Sequence, residues 1–80
     1  NKLSYKYQYE LKELPKKIIL IQEELENFSK ELKDTNLYVN NHERYLEITN
    51  KMEILNNNLQ INETRWLEVL EIEENFNKNN

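Results

Sequence analysis

Residues 7–32 read YQYELKELPKKIILIQEELENFSKEL, and the spacing of their apolar members decides the fold. Tyr7, Leu11, Leu14, Ile18, Ile21, Leu25, Phe28 and Leu32 follow one another by alternating steps of four and three. That alternation is the a/d pattern of a coiled coil, in which one narrow apolar stripe runs along a helix. A second stripe lies further on: Tyr45, Ile48, Met52, Leu55, Leu59, Asn62, Trp66 and Val69 are spaced by the same steps, with Asn62 as its polar member. Each stripe needs a cover, and the other stripe is the nearest one.

Between the two, Asp34-Thr35-Asn36 breaks the pattern with side chains that compete for backbone hydrogen bonds, and Asn40 with Glu43 has the spacing of a capping box. A connection this short favours antiparallel neighbours. Paired outward from the turn, the stripes match layer by layer. Leu32 meets Tyr45, Phe28 meets Ile48, Leu25 meets Met52, Ile21 meets Leu55 and Ile18 meets Leu59; then come Leu14 with Asn62, Leu11 with Trp66 and Tyr7 with Val69. The predicted fold is all-α, a two-helix antiparallel coiled-coil hairpin with a short helical N-terminal extension before Pro15. Its boundaries are 1–14 for a basic extension, 15–33 for helix one, 34–40 for the turn, 41–76 for helix two and 77–80 for a disordered tail. At 1.5 Å per residue and about 30 residues per helix, the hairpin should be about 45 Å long. It should be a monomer, with domain swapping through 34–41 as the competing state.

One stretch is ambiguous, because Leu3, Tyr5, Tyr7, Tyr9 and Leu11 alternate with polar residues as a strand would. No partner strand is visible, so residues 4–14 read as a helical segment leading into Pro15. A proline there withholds a donor from the Leu11 carbonyl, and the seam places Asn62 nearby. The Asn62 amide is expected either to bond a carbonyl freed near Pro15 or to meet water at a splayed end.

The chain has 80 residues, no glycine, no cysteine and one proline, with a net charge of −4. So small a chain cannot enclose a deep catalytic cleft, and it lacks a disulfide framework or a thiolate metal site. It has no apolar run of the roughly 20 residues that span a bilayer, and Asn1-Lys2-Leu3-Ser4 does not read as a signal peptide. We expect a cytoplasmic chain with no membrane partner. A start at Asn1 within a patterned segment leads us to expect a piece of a longer protein.

The charge is unevenly spread. Residues 1–20 hold Lys2, Lys6, Lys12, Lys16 and Lys17 against Glu10 and Glu13, a balance of +3, which leaves −7 for the other sixty. Tyr5, Tyr7 and Tyr9 interleave with these lysines in the manner of a single-strand binding surface, where base stacking contributes ~1–3 kcal/mol per base. The other reading has Tyr7 packed inward and its neighbours shielding the open end.

Further residues carry the chain toward a family: Lys2-Leu3-Ser4-Tyr5-Lys6, Glu10-Leu11, Leu14-Pro15, Asp34 with Leu37-Tyr38, then Arg65-Trp66-Leu67-Glu68 with Leu70-Glu71. This pattern resembles the C-terminal coiled-coil domain of the ABC-F ATPases, in particular the bacterial Uup type, over nearly the whole chain. It departs from that family at Thr35, where proline is common after the aspartate, and in its many Asn and Ile residues. The resemblance implies two ATP-binding cassettes ahead of this domain, action on ribosomes rather than transport, and DNA binding by the C-terminal domain. ATP and magnesium are then implied for the cassettes alone. Without glycine this chain holds no Walker A loop, and no cofactor or enzymatic activity is expected of it.

Other residues invite chemistry less strongly. His42 is the sole histidine and reads as a solvated first-turn residue, not a metal ligand. Glu68, Glu71, Glu73 and Glu74 read as a wet helix face, since catalytic carboxylates need a partly desolvated site. Trp66 reads as a core anchor and Arg65 as an outward contact. The expected nucleic-acid-binding set is therefore Lys2, Lys6, Lys12, Lys16, Lys17 and Arg65, the ligand DNA or ribosomal RNA. The alternative is a protein-interaction hairpin or rigid spacer that contacts the cassettes or a protein partner.

Overall fold

The structure, a computed structural model, describes residues 2–79. Two long helices, α1 (Tyr5–Leu32) and α3 (His42–Lys78), pack antiparallel, with a single-turn helix α2 (Leu37–Asn40) in the connection. The all-α hairpin expected from the two stripes is the observed fold. It measures 61 × 17 × 14 Å, longer than the sequence suggested. Two differences account for the length. α1 runs unbroken from Tyr5 through Pro15, so the residues before the proline are its first turns and not a separate extension. α3 continues to Lys78, so Asn77 and Lys78 of the expected tail are helical, while Asn80, like Asn1 at the other end, lies outside the described residues.

Burial follows the stripes. Leu14 and Ile18 on α1 and Ile48 and Val69 on α3 are the buried side chains, Ile48 and Val69 completely so. Tyr7, Leu11, Ile21, Leu25, Phe28 and Leu32, like Trp66 on the facing helix, are half-buried, as a core only two helices thick requires.

The turn closes without glycine because no residue in it needs a left-handed backbone; among the described residues none has positive φ. α1 tightens at its end through i→i−3 bonds, Lys33 N–H to the Lys30 carbonyl (3.2 Å) and Asp34 N–H to that of Glu31 (3.3 Å). The Asp34 carboxylate then accepts the Asn36 amide at 3.0 Å, the local competition expected of this segment. The cap of α3 sits one residue later than expected. Asn41, in non-helical conformation, accepts the Arg44 N–H on its side-chain oxygen at 3.2 Å, which leaves Asn40 as the last residue of α2 and Glu43 out of capping-box register.

Asn62 corrects a second expectation. Its Nδ2 donates to the Asn58 carbonyl of its own helix at 2.7 Å, and it does not reach across to the backbone near Pro15. A side chain satisfied within its own turn contributes nothing to register and occupies a seam position that leucine would fill with apolar surface. Asn62→Leu should therefore stabilise the hairpin by about 1 kcal/mol, a fraction of the transfer energy of a fully buried leucine. Thermal melts checked by sedimentation for an unchanged mass would show it, and a lower melting temperature would restore a structural role to the amide.

Candidate nucleic-acid interface

On α1, Tyr5, Tyr9, Lys12 and Lys16 form a line with the same four-three-four steps as the seam residues Tyr7, Leu11, Leu14 and Ile18, displaced by two positions. Two residues turn a helix by about 200°, so this line runs along its outer face. Tyr5 is 81 % exposed and Tyr9 54 %, and Lys12 and Lys16 are open to solvent, as are Lys2 ahead of the helix and Lys6 and Lys17 beside the line. Four of the six expected binding residues thus share the open-end half of α1, and Lys2 lies just ahead of it.

The two acids in this segment are both engaged. Glu13 lies 3.7 Å from Lys16, and Glu10 faces α3. Lys2, Lys12 and Lys17 have no carboxylate partner among the described residues, and Lys6, with none at ion-pair distance, acts on Glu10 only electrostatically. For Lys17 the register supplies the reason, since the position facing it across the flank is the neutral Asn58.

Arg65, the sixth, is placed differently from the outward orientation expected. It is half-buried, and its guanidinium grips Glu10 side-on, with Nε donating to one carboxylate oxygen at 2.6 Å and Nη2 to the other at 2.9 Å. Nη1 donates to Glu68 at 3.2 Å, and the group lies 5.9 Å from the centre of the Tyr7 ring. So Tyr7 does pack inward, beneath a cation.

The same constellation recurs near the turn. Arg44 donates from Nε and Nη2 to the two oxygens of Glu31 at 2.5 and 2.8 Å, bonds Glu47, and lies 5.9 Å from the Phe28 ring centre. Every member is repeated at an interval of 21 residues: Glu-Leu-Lys at 10–12 and 31–33, Tyr7 and Phe28, Arg44-Tyr45-Leu46-Glu47-Ile48 and Arg65-Trp66-Leu67-Glu68-Val69. The two fully buried side chains, Ile48 and Val69, are the fifth residues of the two arginine motifs. Reading the seam alone missed these clamps, although the repeated tripeptide and pentapeptide were the signal for them.

Hydrogen bonding to its arginine holds each of Glu10 and Glu31 below the usual carboxylate range, against the opposing pull of burial. The arginines are correspondingly shifted upward. A carboxylate whose folded value is depressed contributes stability above its unfolded value and loses it as pH falls, here from about pH 5 downward. The melting temperature should therefore drop on acidification through that window. In Glu10→Gln with Glu31→Gln the drop should be visibly shallower; an identical pH profile for parent and variant would remove the clamps from the account.

Elsewhere the features are structural. His42 opens α3 edge-on to Tyr38, with ring centres 4.6 Å apart, and stacks on Tyr45 at 6.1 Å, which makes it part of an aromatic cluster at the tip. Glu68 serves Arg65, and Glu74 pairs with Lys78 at 3.2 Å. Among the described residues no group of acids and histidine is arranged to hold a metal ion, and no helix is long and apolar enough to cross a membrane.

No curated protein and no solved structure shows significant similarity to the chain. A family model does match, over residues 2–71, and its span takes in the basic face and both arginine clamps. The chain belongs to the family of ABC transporter C-terminal domains.

Proposed function

We propose that this chain is the accessory C-terminal domain of an ABC-F ATPase of the Uup type, and that it docks on nucleic acid, DNA or ribosomal RNA, through the outer face of α1. The observation that carries the reading is the exposure of Lys2, Lys6, Lys12 and Lys17 with no carboxylate at ion-pair distance among the described residues, in a chain that is acidic overall. Phosphates are drawn to clustered cations, and the first turn of α1 contains no acid to oppose them. Arg65 belongs to this surface indirectly, since its fork on Glu10 cancels the nearest negative charge. The domain acts as a monomer in the cytoplasm and performs no chemistry itself. ATP and magnesium belong to the cassettes of the parent protein.

Electrostatic docking has a measurable signature. The logarithm of the binding constant should fall linearly with the logarithm of salt concentration, with a slope of about −0.9 per phosphate neutralised on duplex DNA. Replacing Lys6, Lys12, Lys16 and Lys17 together by Glu should abolish gel-shift binding while leaving the helical circular dichroism intact. Binding that survives this change and ignores salt would instead favour a protein-docking hairpin, for which the exposed Tyr38, Val39 and Leu46 around the tip are the available surface.

A further inference from the structure

We propose that Tyr5 and Tyr9 form a stacking platform for unpaired bases, so that the nucleic acid taken by α1 is single-stranded at the point of contact. The inference rests on the nucleic-acid reading above and specifies its ligand. Three observations lead to it. Tyr5 and Tyr9 are a single helical turn apart on the outer face, 81 % and 54 % exposed, and neither ring contacts another aromatic group among the described residues. Tyr5, Gln8, Tyr9, Lys12 and Glu13 line a groove of about 310 Å³, the low end of the ~300–1,000 Å³ range of small-ligand sites. Tyr7, the third member of the series, is turned into the interface under Arg65, so the exposed rings are not needed to cover the core.

A tyrosine at the surface of a helix that covers nothing leaves apolar ring area in water. Base faces are apolar and polarisable, and any base can stack on such a ring regardless of sequence. A duplex keeps its bases stacked on one another and offers phosphates and groove edges but no free base face to a ring. Lys12 and Lys16 continue the tyrosine line by steps of three and four, placed to meet the phosphates on one side of a stacked base. The one acid on the groove wall, Glu13, is offset by Lys16. Gln8 donates to the Leu3 carbonyl at 2.5 Å and so holds the segment before α1 against the groove's rim.

The test compares the 80-residue chain with its Tyr5→Ala/Tyr9→Ala and Tyr5→Phe/Tyr9→Phe variants on two probes. One is an oligothymidylate of about 12 nucleotides, inside the size range such surfaces cover; the other is a duplex of the same length. The alanine pair should lose roughly tenfold or more in affinity for the single strand, the effect of a lost base stack, while duplex affinity changes by less than about twofold. The phenylalanine pair should bind as the parent does, since the ring face is retained. The salt slope should be the same for all three, because no charge is removed. Unchanged single-strand affinity of the alanine pair, or equal losses on both probes with unaltered circular dichroism, overturns the platform and leaves phosphate docking standing. Absence of binding of the parent chain to either probe overturns the nucleic-acid reading itself and the platform with it.

Discussion

Beyond the short connection with α2, the two long helices have only each other to stop them from sliding, and everything else in this molecule depends on how that slide is prevented. An apolar seam of mixed aliphatic residues specifies which faces meet but is permissive about axial position, since one heptad layer resembles the next. The side-on grip of Arg44 on Glu31 and of Arg65 on Glu10 is not permissive. A bidentate fork requires both carboxylate oxygens to lie opposite Nε and Nη2, so displacement by a residue in either direction breaks two bonds in each clamp. Each fork lies one residue ahead of a predicted layer, Leu32 with Tyr45 and Leu11 with Trp66, so seam and clamps specify the same register.

The interval of 21 residues has a physical reason. In a straight helix of 3.6 residues per turn the two glutamates would drift apart around the axis by about 20° per heptad, roughly 60° over three. Both nevertheless reach their arginines across the same flank, as the 3.5-residue repeat of a coiled coil allows. Between the clamps the flank is less strictly paired. Glu24 and Lys51 line a groove there with Phe28, Ile54 and Leu55, and Lys51 turns to Glu47 and to the Phe28 ring. Fixing both ends of the hairpin leaves the middle free to tolerate looser contacts.

How far the sequence disclosed this varies with the kind of interaction. The hairpin, its antiparallel sense and its layers followed from periodicity, because burial of a stripe is a collective property that survives errors at single positions. Local hydrogen-bond choices did not. Asn40 and Asn41 are chemically equal candidates for the cap, and only the backbone conformation at Asn41 selects it. Asn62 was expected to meet either a carbonyl near Pro15 or water, and it bonds the Asn58 carbonyl one turn back in its own helix instead. For the basic face, the clustering of lysines was legible and the engagement of Arg65 was not, because a charge next to a seam tryptophan can face solvent or reach over the interface. The repeat of its whole environment three heptads away distinguishes these alternatives, a signal visible only when both helices are read together.

The clamp nearest the open end also determines the sign of the surface behind it. Glu10 on α1 would place a negative charge beside Lys6 and Lys12; drawn across to Arg65, it fixes the register while its charge is balanced on the far side. The same line on the outer face changes character further along, where Ile19, Glu23, Glu26 and Lys30 succeed Tyr9, Lys12 and Lys16. A polyanion laid along α1 would meet lysines over the twelve residues from Tyr5 to Lys16, about 16 Å of helix, and then two glutamates. Across the open end α3 carries Glu63, Glu68, Glu71, Glu73 and Glu74, so the positive character is confined to the outer face of the first turns of α1 and does not extend around the hairpin.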